Sequence, residues 1–105
     1  MYQSMLQSEE MDNLFRSVLT LKTTDECYMF FEDLCTISEL KSIAQRLKVA
    51  SLLRRRHTCQ DISQSTGAST ATISRVNKCL NYGTGGYKMV LNRLEPGRDN
   101  GSEKS

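Results

Sequence analysis

The chain has 105 residues, 14 of them basic and 12 acidic, which gives a formal net charge of +2. This length fits one small domain, and the absence of an apolar run of about 18 residues excludes a membrane-spanning helix. The chain contains one histidine, and it shows no glycine-rich phosphate loop, no metal-ligand set and no nucleophile–base pair. We therefore expect the protein not to be an enzyme, and we expect no cofactor and no metal site.

The first half of the chain predicts three helices. The i, i+3, i+4, i+7 spacing of an amphipathic helix occurs at Met11, Leu14, Phe15 and Val18. Capping boxes, in which an acid follows a capping threonine by three residues, start two further helices at Thr23 and Thr36. We expect the third helix to carry one apolar face, formed by Leu40, Ile43, Ala44, Leu47, Ala50 and Leu53. Three consecutive arginines then end it.

The second half predicts three more helices. A capping box at Thr58 starts a short helix that reaches about residue 65, and Gly67 breaks the chain. Ser69 caps a further helix to about residue 80. A turn-rich segment then precedes a last helix that ends at Leu94. We predict an all-α, six-helix domain over residues 9–94, a flexible segment over 1–8 and a disordered tail over 95–105.

Charge is distributed unevenly along the chain. Residues 1–40 carry a net charge of −6, whereas residues 41–80 carry +7. The densest positive segment is Arg54, Arg55 and Arg56. A concentration of positive charge in one part of a chain is typical of a protein that binds a polyanion. Three arginines at a helix end also suit the helix dipole, so charge alone leaves both interpretations open.

Four cysteines are present, at positions 27, 35, 59 and 79, and no two of them form a C-x-x-C pair. The first residues of the chain lack the basic and apolar regions of a secretory signal. We therefore expect a reducing, cytoplasmic and nucleoid-associated location. In that setting the four side chains are predicted to be free thiols, small and mostly buried.

The segment 59–78 has the pattern of a helix-turn-helix. Two short helices that cross steeply need a shared apolar core, and suitable residues stand at Ile62, Ala68, Ile73 and Val76. The crowded inner site of the first helix needs a small residue, and Ser63 stands there. The turn needs a residue that tolerates a positive φ, which Gly67 provides. We place the helix-turn-helix at about residues 58–80.

The second helix of this motif is the candidate recognition helix. Its outer face offers small polar, methyl-bearing and basic side chains, which suit contact with base edges in the major groove. The candidate base-contacting residues are Ser69, Thr70, Ala71, Ser74 and Arg75. The candidate phosphate-contacting residues are Arg54, Arg55, Arg56, Gln60, Thr72 and Lys78. A protein partner is the alternative for this face, because some helix-turn-helix units serve as scaffolds.

The stretch from about residue 33 to residue 94 resembles the tryptophan repressor family. The match rests on the order LCTISELKSIAQRLKVASLLRRRHTCQDISQSTGASTATISRVNKCL, in which a threonine-plus-acid helix start precedes a Gly-Ala-x-x-Ala-Thr-Ile-Ser-Arg segment. ECYMFFEDLCTISE and GASTATISRVNKCLNYG resemble more closely the YerC/YecD-type Trp-repressor-related proteins of Gram-positive bacteria. The resemblance implies an all-helical, intertwined homodimer with two DNA-binding heads.

The same resemblance supplies a candidate effector pocket. In the family, two arginines hold the indole ring of tryptophan, and Arg46 and Arg75 match them, while Thr36 matches a threonine at the pocket. Two positions depart, because Val76 stands where the repressor has glycine and Cys79 stands where it has a serine. We favour the interpretation that both arginines make salt bridges or phosphate contacts, that no ligand pocket remains, and that tryptophan is not a corepressor.

Together these features predict a sequence-specific, DNA-binding transcriptional regulator, a repressor that acts as a homodimer on a double-stranded operator. Three amphipathic helices before the motif carry more apolar surface than a monomer of this size has room for, which supports the dimer. Two alternatives stay open: a helix-turn-helix module that binds a protein, and a repressor that responds to an amino acid or another small metabolite.

Overall fold

The structure is a computed structural model, which describes residues 2–96 and contains six α-helices and no β-strand within that range. The helices are α1 (Glu9–Val18), α2 (Thr24–Leu34), α3 (Ile37–Arg54), α4 (Cys59–Thr66), α5 (Thr70–Tyr82) and α6 (Gly86–Leu94). The predicted all-α, six-helix architecture is confirmed. None of these helices is long and apolar enough to cross a membrane. The predicted tail lies outside the described residues from position 97 onward.

Three helix starts follow the predicted caps. The side-chain oxygens of Thr23, Thr58 and Ser69 each accept a hydrogen bond from the backbone N–H three residues later, at 3.1 Å. Between α4 and α5, Gly67 has a φ of 76°, in the left-handed region that favours glycine. Its N–H donates to the carbonyl of Ser63 at 2.9 Å and so ends α4. The predicted caps at Thr23, Thr58 and Ser69 and the predicted turn at Gly67 are therefore confirmed.

The described chain forms two compact units that divide between Ile37 and Ser38. The first unit contains α1 and α2, and neither helix has a buried residue. The rings of Phe30 and Phe31 meet edge to face, with centroids 5.4 Å apart. Beyond this contact, the large apolar side chains of the unit are mostly exposed, including those of Phe15, Leu19 and Met29.

The second unit has a closed core. It consists of Val49, Ala50, Leu52, Ile62, Ala68, Ile73, Val76 and Leu91, which come from α3, α4, α5, α6 and the turn before α5. The prediction of a single apolar face on α3 is wrong. Four consecutive residues, 49–52, are buried, because this part of α3 is central and other helices surround it. Ile43 is about half exposed, although the spacing predicts it on the apolar face.

The helix-turn-helix core forms as the sequence predicts. Ile62, Ala68, Ile73 and Val76 are all at most 3% exposed. The small side chain of Ser63 fits the inner site of α4, where its hydroxyl donates to the carbonyl of Ala68 at 2.9 Å. This hydrogen bond joins α4 to the turn. The motif is therefore a rigid support that fixes which face of α5 points outward.

The end of α6 is held to α3. The hydroxyl of Ser51 donates to Glu95 Oε2 at 2.9 Å, and Arg55 Nη2 lies 3.1 Å from the same oxygen. Sequence analysis placed Glu95 at the start of the disordered tail, but these two contacts give it a defined position. Periodicity could not show this, because Ser51 and Glu95 are 44 residues apart in the chain.

The four cysteines are free thiols, as predicted. The expectation that they are mostly buried is wrong: Cys27, Cys59 and Cys79 are exposed, and Cys35 is partly buried. Their positions explain this result. Cys59 is the first residue of α4, before the helix meets the core, and Cys79 lies on α5 beside the buried residues rather than among them.

Candidate DNA-binding surface and effector cleft

The outer face of α5 is polar and open. The five candidate base-contacting residues are all exposed: Ser69, Thr70, Ala71, Ser74 and Arg75. Because the core residues of α5 are fixed on the opposite side of the helix, these side chains form one accessible surface. Ser69 has a second role, since its hydroxyl caps α5. A change at this position would therefore alter the helix as well as any contact with a base.

The three consecutive arginines have three different environments. Arg54 is only 5% exposed, and its Nη2 donates to Asn92 Oδ1 at 2.9 Å. The prediction that Arg54 contacts phosphate is therefore wrong, because its guanidinium group lies inside the unit. Arg55 is exposed but is paired with Glu95. Arg56 is exposed and lies in the turn that follows α3.

The other candidate phosphate-contacting residues differ in accessibility. Gln60 on α4 and Lys78 on α5 are exposed. Thr72 is partly buried, and its Oγ1 lies 3.1 Å from the Ser69 hydroxyl, next to the helix cap. Arg56 and Lys78 are thus the exposed positive charges of this candidate set that lie outside the Arg55–Glu95 ion pair.

The fold changes the acidity of Glu95. The hydrogen bond from Ser51 lowers the pKa of the Glu95 carboxyl below its ordinary value. Burial acts in the opposite direction, and the nearby charge of Arg55 lowers the pKa further. Glu95 therefore stays ionised and keeps Arg55 paired in the absence of a competing anion.

An open cleft of about 570 Å³ lies on one side of α5. Its walls are mainly apolar and come from α3, the end of α5 and the start of α6. They are formed by Ile43, Arg46, Leu47, Cys79, Gly83, Thr84, Gly86, Tyr87 and Val90. Gly83 is required in this wall, because a Cβ atom there would lie 2.4 Å from the carbonyl oxygen of Cys79. The cleft has a size typical of small-molecule sites.

Comparisons with known proteins agree with this fold. The family model for the Trp repressor protein matches residues 9–95. The chain belongs to the Trp repressor family. It is 54% identical over 99 residues to the uncharacterized protein YerC of Bacillus subtilis (strain 168), and the match covers 94% of this chain and 95% of that one.

Solved structures of this family superpose well on the chain. A TrpR-like protein from Eubacterium eligens has a TM-score of 0.83 at 54% identity, with 85% of this chain and 92% of that chain covered. A protein from Staphylococcus aureus has a TM-score of 0.82 at 47% identity, with 85% and 89% covered. These values support the same arrangement of helices in all three proteins.

In this member of the Trp repressor family, two of the five candidate effector residues line the cleft. Arg46 and Cys79 both line the cleft, whereas Arg75 and Val76 do not. Val76 is 2% exposed and packs in the core of the helix-turn-helix. Thr36 belongs to the first unit. The structure thus retains a cleft where sequence analysis expected none, but it does not place this cleft between the two arginines.

The salt bridges expected for these two arginines do not form either. Within residues 2–96, neither Arg46 nor Arg75 makes an ion pair with another side chain. Arg46 is partly buried at the cleft and Arg75 is exposed on the outer face of α5. Both guanidinium groups are therefore accessible to an external anion, and phosphate contact is the part of the expectation that still stands.

Sequence analysis missed residues on both flanks of α5. Tyr87 and Val90 complete the cleft from α6, and their spacing of three residues was a usable signal for a shared face. On the other flank, Asn77 and Asn81 line a small polar cavity. They continue the spacing of Thr70 and Ser74 along α5, which would have identified them as part of the same stripe.

Proposed function

We propose that the protein is a sequence-specific, DNA-binding transcriptional regulator that represses transcription from a double-stranded operator. The observation that carries this proposal is the outer face of α5, which is exposed, polar and held by a buried helix-turn-helix core. Membership of the Trp repressor family supports the same function. A nucleoid-associated location in the cytoplasm follows from the proposal.

A protein partner on α5 is a weaker alternative. The centres of protein–protein interfaces are depleted of charged residues, whereas the outer face of α5 carries Arg75 and Lys78 among small polar side chains. DNA binding and protein binding also differ in their dependence on salt. Release of counterions makes DNA affinity fall steeply as salt rises, with a slope of about 0.9 for each phosphate contacted.

The proposal is tested by selecting bound fragments from random double-stranded DNA and then measuring affinity for the selected site by fluorescence anisotropy. We expect recovery of a two-fold symmetric site with half-sites about one helical turn, roughly 34 Å, apart. Lys78→Ala should weaken binding to selected and random DNA alike and reduce the salt slope. Thr70→Ala and Ser74→Ala should instead change which sequence is preferred.

A matched control is available on α4. Gln64→Ala alters an exposed side chain that is in neither candidate set, so it should leave both affinity and sequence preference unchanged. Ser69 is unsuitable as a probe because its hydroxyl caps α5. Failure to enrich any sequence, together with binding that does not depend on salt, would reject the DNA-binding function.

The proposed regulator acts as a homodimer. The support comes from the first unit, in which α1 and α2 have no buried residue. Large apolar side chains stay exposed there: Phe15 is 53% exposed and Leu19 is 82% exposed. Several large apolar side chains left exposed in one small unit are typical of a surface that another protein covers. A second copy of the chain would cover these apolar side chains, and the resulting two-fold symmetric dimer would match the symmetry expected for the operator.

Free tryptophan is not the corepressor in this proposal. The buried position of Val76 supports this, because its branched side chain occupies core space and its χ1 is nearly fixed in a helix. An indole ring held between Arg46 and Arg75 would have to displace this packed side chain, and overpacking of a core costs about 1–3 kcal/mol, which lowers affinity roughly tenfold to a hundredfold. Replacement of the family's serine by Cys79, a weak hydrogen-bonding partner, removes about 1 kcal/mol more.

Calorimetry with tryptophan tests this part of the proposal. We expect no heat of binding at micromolar concentrations and no change in DNA affinity. The double variant Val76→Gly with Cys79→Ser should gain affinity for tryptophan. A small metabolite that binds the cleft beside Arg46 is the alternative that the open cleft favours, and a substitution of Val90 in its wall would then change the response.

A further inference from the structure

The two flanks of α5 differ in chemistry. One flank carries Cys79 and the apolar cleft, and the other faces a separate cavity of about 170 Å³. Its lining residues are Leu53, Arg54, Arg56, Asn77, Leu80 and Asn81. Two of them carry guanidinium groups, two carry amides, and none is a carboxylate. The electrostatic potential in this cavity therefore favours an anion.

Arg56 holds a backbone conformation that is unusual for its residue type. Its φ is 69°, in the left-handed region, where any residue other than glycine carries a cost of about 1 kcal/mol. The hydrogen bonds of the turn explain why the conformation is needed. The N–H groups of Arg56 and His57 donate to the carbonyls of Leu53 and Leu52, both at 3.1 Å, which is the Schellman pattern at the end of a helix.

Glycine would suit this turn better than arginine, so the side chain of Arg56 requires another explanation. Backbone strain is concentrated at functional sites, where the side chain is needed in a fixed place. Arg56 lines the cavity and is exposed, so its guanidinium group is accessible there. A planar guanidinium group matches the oxygens of a phosphate and can bind two of them at once.

The remaining polar groups of the cavity are fixed by internal hydrogen bonds. Arg54 donates to Asn92 from inside the unit, which holds its positive charge in the cavity wall. Asn81 Nδ2 donates to the carbonyl oxygen of Asn77 at 2.9 Å and to Asn77 Oδ1 at 3.1 Å. These contacts orient the amide of Asn77 and direct its Nδ2 hydrogens to a different acceptor.

The position of the cavity connects it to the candidate DNA-binding surface. Thr70, Ser74, Asn77 and Asn81 follow one another at i, i+4, i+7 and i+11, so they form one stripe along α5. The first two are candidate base-contacting residues, and the last two line the cavity. The cavity volume of about 170 Å³ leaves room for a phosphate group with its five heavy atoms.

We propose that this cavity holds one phosphate group of the DNA backbone, bound by Arg56 and the Asn77 amide and attracted by the fixed charge of Arg54. The inference rests on the proposed DNA-binding function and adds a specific anchor for the recognition helix. A phosphate held at the end of the stripe sets how far α5 advances along the groove. It therefore fixes which bases Thr70 and Ser74 reach.

The first test is Arg56→Gly, measured by thermal unfolding and by DNA anisotropy at several salt concentrations. Glycine relieves the strained turn, so the variant should unfold at a higher temperature than the wild type. Its DNA affinity should nevertheless fall about tenfold or more, and the salt slope should decrease by about 0.9 for each DNA-binding head. A protein that is more stable but binds more weakly cannot be explained by misfolding.

Two further variants sharpen the result. Asn81→Asp places a carboxylate in the cavity and should weaken binding in the same way, with unchanged helix content by circular dichroism. Arg93→Ala is the matched control, because it removes one exposed positive charge from α6 outside the cavity. This control should change the salt slope by less than half as much as Arg56→Gly does.

Modified DNA identifies which phosphate group of the operator enters the cavity. Duplexes of the selected site carry one neutral methylphosphonate at each backbone position in turn. At one position in each half-site, the neutral group should weaken the wild type but should not weaken Arg56→Gly further. Such a coupled pair identifies the phosphate that enters the cavity.

The outcomes separate this inference from the proposed function. If Arg56→Gly and Asn81→Asp bind the selected site with wild-type affinity and salt slope, the cavity does not hold a phosphate of the DNA, although the protein still binds DNA. Titration of the wild type with inorganic phosphate and with adenosine monophosphate forms a second arm. Binding that Arg56→Gly abolishes, with DNA affinity unchanged, would assign the cavity to a soluble phosphate compound and overturn the DNA assignment.

Discussion

The two compact units of this chain differ in how far their apolar side chains are buried. In residues 38–96 nine apolar residues are buried, and they close a core around the end of α3. In residues 2–37 the helices α1 and α2 have a pronounced apolar side, yet no residue of either helix is buried. The same helical periodicity therefore leads to a finished core in one unit and to an uncovered surface in the other.

The units also differ in charge. Residues 1–37 carry two basic and seven acidic side chains, a net charge of −5, whereas residues 38–105 carry 12 basic and five acidic side chains, a net charge of +7. A negative segment is repelled by a DNA backbone, whereas a positive one is attracted to it. The contrast supports a division of labour in the proposed function, in which the second unit binds DNA and the first unit joins two copies of the chain.

The largest effect should come from a charge in the uncovered surface. Phe15→Asp removes an apolar side chain worth about 1.5–3 kcal/mol of burial, and a two-fold interface contains each residue twice. The dimer dissociation constant should therefore rise by a factor of about 10² to 10⁴. Light scattering at low micromolar concentration should show twice the chain mass for the wild type and the monomer mass for the variant.

The control for this variant is Asn13→Asp, which adds the same charge to α1 at an exposed polar position. It should leave the dimer intact. A wild-type protein that stays monomeric and fully folded at these concentrations would show that the apolar surface of the first unit is not a dimer interface.

Removing a few side-chain atoms from the closed core of the second unit should lower its free energy of unfolding. Ile62 is fully buried, so Ile62→Ala should lower the free energy of unfolding by about 2–5 kcal/mol. The neighbouring exposed variant Gln64→Ala should change it by less than about 0.5 kcal/mol. Urea unfolding followed by circular dichroism measures both. Equal effects of the two variants would show that the second unit is not tightly packed.

An added methyl group should lower stability at Gly83, where the backbone leaves no room for it, but not at Gly86, where space is available. In Gly83→Ala the new Cβ would lie 2.4 Å from the carbonyl oxygen of Cys79, so the last turn of α5 must shift, at a cost of about 1–3 kcal/mol. In Gly86→Ala the nearest atom is Thr84 Oγ1, at 3.7 Å. That variant should be neutral or more stable by up to about 1 kcal/mol. Thermal unfolding of both variants tests the difference.

The smallest effect concerns the pH dependence of stability. Because the pKa of the Glu95 carboxyl is lowered in the fold, its contribution is present above the unfolded-state pKa and is lost as pH falls through the folded-state pKa. Between about pH 6 and about pH 3, the wild type should therefore lose more stability than Glu95→Gln, by less than about 1 kcal/mol.

Ser51→Ala tests whether the hydrogen bond from Ser51 causes the lowered pKa of Glu95. It removes the hydrogen bond that lowers the Glu95 pKa most, so its pH dependence should lie between those of the wild type and Glu95→Gln. Identical pH profiles for all three proteins would show that the contacts of Glu95 do not affect its ionisation.

Local patterns in the sequence were sufficient to predict much of this structure. The capping residues Thr23, Thr58 and Ser69, the left-handed turn at Gly67 and the buried helix-turn-helix residue Ile62 all appear as expected. Each of these features depends on residues that are close in the chain, so the sequence alone contains the physical information. The exposed outer face of α5 follows from the same patterns, because fixing the inner face of a helix also fixes the outer one.

The sequence by itself determined the helices, their caps, the helix-turn-helix and the concentration of positive charge around it. Only the tertiary structure decided that Arg54 lies inside the fold, that Arg56 lines a polar cavity and that Arg46 lines an apolar cleft. The physical reason is that successive residues on a helix point about 100° apart. Which of these residues packs against another helix depends on segments that are distant in the chain. Local periodicity cannot predict this packing.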